Sequence, residues 1–157
     1  MVERVDQQMA AQAERVIGPV VTNPQLAKRL RTRMRQFPMR LRSSGLVAAF
    51  AFAESRSGNG DPLEQAYTRL CEVIIQHVSQ RDLLPGLTAQ STPREFLTML
   101  TNAGLTTYSR VSAEIDLLAG WLSRIADAYY GKLAAAARAE LEETTERTVG
   151  EEVEEQA

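Results

Sequence analysis

The sequence predicts an all-α protein, a compact single-domain bundle of about five to six helices with a long C-terminal helix. Three observations carry this. Apolar residues recur at spacings of three and four along almost the whole chain. Proline-led helix starts stand where that periodicity resumes. No run alternates apolar and polar residues as a half-buried strand would, and no internal repeat stands out. Residues 1–137 read as the bundle and 138–157 as an acidic tail, helical to disordered.

In chain order, residues 3–17 form an amphipathic helix with Val5, Met9, Ala13, Val16 and Ile17 on one side, stopped by Gly18-Pro19. Asn23 is placed to cap a second helix with Pro24 at its first position. That helix buries Leu26, Leu30, Met34, Phe37 and Leu41, and Pro38 inside it predicts a kink or a restart. Gly45 is a second weak point before the apolar segment 46–56. A loop, "SRSGNGD", follows, and Asp61, Pro62 and Glu64 open a helix to about Ser79. After the loop "RDLLPGLTAQS", Thr92 and Glu95 form a capping box around Pro93, and Asn102-Ala103-Gly104 closes a short helix. The last helix has the most regular seam: Tyr108, Val111, Ile115, Leu118, Leu122, Ile125 and Tyr129. Past Lys132 large apolar residues thin out, which predicts fraying before Gly150.

The 157 residues suit one domain, and 44% apolar with 24% charged residues is ordinary globular composition. The longest uncharged apolar run, Leu46 to Ala53, is far short of the roughly 20 residues a membrane span needs. The N-terminal stretch carries charges throughout and has no apolar signal core, so the expected location is cytoplasmic, with no membrane partner. A single cysteine, Cys71, excludes an intramolecular disulfide and reads as a core thiol.

Residue types for catalysis do not converge, so the expectation is a non-enzyme without cofactor, metal or small-molecule substrate. His77 is the only histidine, too few for a di-iron bundle or a histidine metal site, and reads as a partly buried residue with one hydrogen bond. "SGNGD" is too short for a phosphate loop and lacks its lysine. Glu72, Glu114 and Asp116 read as ordinary polar-face residues.

The net charge of −2 conceals an asymmetry. Without the tail, whose eight glutamates dominate it, the body carries 16 basic against 12 acidic residues. Within Gln25–Ala53 there is no acid at all, whereas a merely solvated helix face usually mixes signs. On one helix the cations of this region fall in two stripes flanking the apolar seam. Lys28, Arg31, Arg35 and Arg42 form one, and Arg29, Arg33 and Arg40 the other. Such side chains either lay their stems along a buried edge or meet phosphates, where each neutralised charge releases a counterion. With few exposed aromatics, backbone contact is more plausible than base reading.

Two stretches carry a family resemblance: "FPMRLRSSGLVAAFAFAESRSG", 37–58, and "LTTYSRVSAEIDLLAGWLSRIADAYYGKL", 105–133. Pro38, Gly45-Leu46, Ala51-Phe52 and Ser55-Arg56, then Tyr108, Arg110, Glu114, Trp121 and Arg124-Ile125-Ala126, stand in the family's order and separation. Together they resemble the small subunit of the Cmr-type (type III-B) CRISPR effector complex over roughly residues 1–133. Ser123 stands where a lysine is common, and Ala113 where a basic residue is frequent.

The resemblance implies a non-catalytic subunit of an RNA-guided, RNA-targeting complex in antiviral defence. Copies would stack head to tail as its inner filament, touching the backbone of guide RNA and target RNA while base pairing reads sequence. Its partners would be the other subunits of the complex and neighbouring copies of itself. The RNA-binding residues expected on this reading are Lys28, Arg31, Arg35 and Arg42, with Arg56 and Arg110 as further candidates. Two rivals are a helix-turn-helix regulator and a helical protein-interaction adaptor without nucleic-acid binding that works through the C-terminal helix.

Overall fold

The computed structural model describes residues 4–155, and every regular element among them is helical. Helix α1 spans Val5–Ile17 and runs into a 3₁₀ turn, Gly18–Val20. Residue 3, the expected helix start, lies outside the described residues. Helix α2 is Pro24–Ser44, α3 Leu46–Arg56, α4 Pro62–Gln80, α5 Pro93–Asn102 and α6 Leu105–Glu155. The fold class is thus the expected all-α bundle with a long last helix.

Each start is built by the chemistry its residues offer. The Asn23 and Asp61 side chains accept hydrogen bonds from the Leu26 and Glu64 amides, and Pro24 and Pro62 follow them. Thr92 and Glu95 make the reciprocal pair of a capping box. The chain does not restart at Pro38. Helix α2 passes through it as one element and stops at Gly45, whose φ of 86° lies in the region that favours glycine. Proline removes one donor and crowds one carbonyl, and tight packing of Met34, Phe37 and Leu41 holds the helix through that defect.

Helices α1 and α2 lie along α6, while α3 and α4 pack on each other and hold α5 at their side. Phe50 is fully buried in the core, and its ring meets Phe96 edge-on at 4.8 Å between centroids. Val111, Ile115, Leu118, Leu122 and Ala126 of α6 are buried, and beyond Ala126 no described residue is. From Arg138 to Glu151 every residue of α6 is exposed, yet the helix continues to Glu155 instead of fraying before Gly150. Alanine and glutamate favour helix there, and Arg147 pairs with Glu143 one turn away. The last 18 helical residues form an arm about 27 Å long.

Candidate nucleic-acid interface

The two cation stripes of α2 meet different surroundings. The stripe of Arg31, Arg35 and Arg42 faces α6. Arg31 Nε donates to Asp127 Oδ1 at 2.6 Å, and Arg35 Nη2 lies 3.4 Å from the same oxygen. Arg42 Nε is 3.5 Å from Asp116 Oδ1. The Arg31 guanidinium also sits 4.8 Å from the centroid of the Tyr130 ring. These arginines are only half-buried or exposed, so each pair adds about 0–1 kcal/mol. They nonetheless carry carboxylates beside the positive charge.

The other stripe faces α3 and the loop before α4. Arg29 and Arg33 make no ion pair among the described residues, and neither does Lys28 at the edge between the stripes. Arg29 and Arg33 join Arg56 along a concavity of about 250 Å³ floored by Leu63 and Tyr67. Lys28, Arg29 and Arg33 also line a second hollow of about 540 Å³. Arg40 lies over the face of Phe52 at 3.6 Å, and Arg56 approaches the same ring at 5.2 Å.

Of the expected RNA-binding residues, Lys28, Arg56 and Arg110 have no ion pair among the described residues, whereas Arg31, Arg35 and Arg42 are tied to α6. Arg56 stands at the end of α3, Lys28 beside Arg29 and Arg33 on α2, and exposed Arg110 lies on the second turn of α6. The arginines on α2 are therefore not equivalent. Sequence reading missed the role of Asp116 and Asp127. A signal existed: they stand eleven positions apart, as do Arg31 and Arg42, which is about three helical turns on each helix.

Glu114 is also more than a polar-face residue. His77, 1% exposed, lies with Nε2 2.7 Å from Glu114 Oε2, and Arg81 Nη2 donates to Oε1 at 2.8 Å. Burial alone would push the Glu114 carboxyl up. Hydrogen bonds from Arg81 and His77, with their charges, outweigh it and hold it below the ordinary carboxylate range. The site is a structural clamp between α4 and α6. Cys71 is buried, and burial, then Glu54 beside it, pushes its thiol far up. Among the described residues no three histidines, cysteines or carboxylates gather as a metal site, and no helix is long and apolar enough to cross a membrane.

An acid-free cationic helix packed on a long C-terminal helix fits what a comparison with protein families finds. Residues 5–129 match the model of a family described as CRISPR-associated protein (Cas_Cmr5). The chain belongs to this family. It is accordingly a CRISPR-associated small subunit of the type III-B Cmr complex, and membership implies contact with other subunits of that complex. No curated protein and no solved structure matches the chain. The match ends where α6 leaves the body, so the acidic arm lies outside it.

Proposed function

We propose that this Cmr-type subunit is a non-catalytic spacer that stacks head to tail with copies of itself in the inner filament and touches guide and target RNA through their phosphates. The observation that carries the reading is the acid-free segment Gln25–Ala53, folded into a helix pair whose cations stand at the surface. Base pairing would read sequence, so the subunit needs charge and shape alone. Among the expected contacts, Lys28, Arg56 and Arg110 are free to meet phosphate. Arg31, Arg35 and Arg42 would do so in competition with Asp127 and Asp116.

Head-to-tail stacking requires two different faces on one subunit. Two are available at opposite ends of the packed part of α6. At its start Leu105 is 82% exposed. At its far end a groove of about 590 Å³ is lined by Pro19, Val21, Tyr129 and Leu133. Some 24 residues of helix, about 36 Å, separate Leu105 from Tyr129.

A protein-interaction adaptor is the second reading, favoured by Leu141 and Val149 standing exposed on the arm. Native co-purification separates the two. Large helical partners together with a short RNA support the filament reading. An isolated dimer, or partners without RNA and without salt-sensitive RNA binding, supports the adaptor.

A further inference from the structure

We infer that the phosphate-binding surface of this chain is the trough that runs along α2 to the end of α3 and the start of α4, built from Lys28, Arg29, Arg33 and Arg56, and that it takes the sugar–phosphate backbone of single-stranded RNA. The inference rests on the RNA-contact reading above and selects the face. The α6 side of α2 offers three arginines already beside two aspartates. The trough offers four cations with no ion pair among the described residues, Arg29, Arg33 and Arg56 beside α3 and Lys28 in the adjoining hollow on α2, and the two hollows share Arg29 and Arg33. Those two stand one turn apart, about 6 Å along the axis, so a chain lying along the groove meets them in succession. Arg40 extends the positive edge, held over Phe52 with its Nε enclosed and without a partner among the described residues.

The other groups in the trough define the ligand further. Asp61 and Glu64 also line it, but each accepts an amide at the start of α4: Asp61 from Glu64, and Glu64 from Gly60. Their charge is partly offset by that helix terminus. The Ser55 and Ser57 hydroxyl protons go to the carbonyls of Phe52 and Glu54, and the Gly58 amide to Thr68 and Glu64. The Tyr67 hydroxyl and the Gln25 side-chain amide keep donors without a partner among the described residues, but the charge needed to hold an anion comes from the guanidinium and ammonium groups. Tyr67 is buried with its ring edge-on to Phe52 and presents no free face for a base to stack on. Recognition is therefore of charge along a backbone, without base preference.

The test is fluorescence anisotropy of the full-length chain with labelled 20-nucleotide oligouridylate and oligoadenylate over a salt series. Three to four contacts predict a log–log salt slope of roughly −2 to −3 for the wild type on both RNAs. Changing Arg29, Arg33 and Arg56 together to Gln should flatten the slope by about 2 and weaken low-salt binding about tenfold or more. Changing Arg31, Arg35 and Arg42 together to Gln should move it less than about threefold. Thermal unfolding of each variant checks the fold. Arg56→Glu alone, at an exposed position, must also weaken binding, and the triple Arg→Lys version of the trough must retain the slope. If the α6-side variant loses RNA and the trough variant does not, the inference is overturned while the RNA reading stands. A trough variant that alters only self-association makes the groove a contact between copies and overturns it equally. A wild-type chain with no salt-dependent RNA binding sinks the RNA reading itself.

Discussion

Arg31 on α2 and Asp127 on α6, ninety-six positions apart in sequence, meet through a hydrogen bond of 2.6 Å. Arg35 shares the same carboxylate oxygen, so one acid on the last helix anchors two cations of the second. The contact serves packing, since α2 and α6 form the most extensive helix pair of the bundle. It also lowers the charge that this face can present to RNA.

Asp127→Asn is therefore expected to act on RNA binding more than on folding. The pair is partly exposed, which limits the stability loss to about 1 kcal/mol. Releasing Arg31 and Arg35 adds at most two phosphate contacts, steepening the salt slope by up to about 1.4. Anisotropy titrations at several salt concentrations measure it. Weaker RNA binding by a folded Asp127→Asn chain would show that the ion pair positions the arginines for phosphate.

Glu114 gives the fold an acid-sensitive point. Its carboxyl titrates below its ordinary value of 4.5, because Arg81 and His77 outweigh its burial. The unfolded chain then binds more protons than the folded one in that region. The stability from this clamp is full above about pH 4.5 and is lost as pH falls through the lower folded value. Glu114→Gln should flatten the acid side of a melting-temperature profile. At neutral pH it should cost about 1–3 kcal/mol through the weakened partner of buried His77. An unchanged acid limb in the variant would place the sensitivity elsewhere.

Gly45 separates α2 from α3 with φ 86° and ψ 170°, backbone that residues with a Cβ rarely adopt. Space is not the problem, since an added Cβ would meet only the Tyr108 hydroxyl, at 3.5 Å. Gly45→Ala should cost about 1–3 kcal/mol from backbone strain. Chemical denaturation measures it. A neutral result would mean that the corner relaxes by extending α2 into α3.

Helices and their caps were legible because each depends on neighbours a few positions away. Asn23-Pro24, Asp61-Pro62 and the Thr92–Glu95 box each declare a start within four residues. The two arginine stripes were legible for the same reason. Their difference was not, because it depends on which helix lies opposite. The matched eleven-residue spacing of Arg31–Arg42 and Asp116–Asp127 becomes informative only once α2 and α6 are known to run antiparallel side by side. Pro38 misled in the other direction. Local chemistry argues for a kink or a restart there, and no restart follows, because the buried Met34–Phe37–Leu41 stripe keeps α2 one helix.

The arm beyond the body provides the last prediction. Residues 138–151 are exposed throughout, and the tail from 138 to 157 holds eight glutamates against two arginines. Deleting residues 138–157 removes no buried apolar side chain of the described chain, so unfolding free energy should change by less than about 1 kcal/mol. Electrostatics predicts a larger effect on RNA. Loss of those glutamates leaves a net positive body, which raises long-range attraction for a polyanion, most strongly at low salt. A continuous helix cannot fold back on its own body, so the arm acts through this field or on a neighbouring molecule. Truncation should therefore tighten RNA binding at low salt, with the difference shrinking as the Debye length falls to about 8 Å near physiological salt. Parallel titrations of full-length and truncated chain settle the matter. A stability loss above about 2 kcal/mol would mean that the arm packs on the body after all, and equal RNA affinity at low salt would remove the electrostatic role.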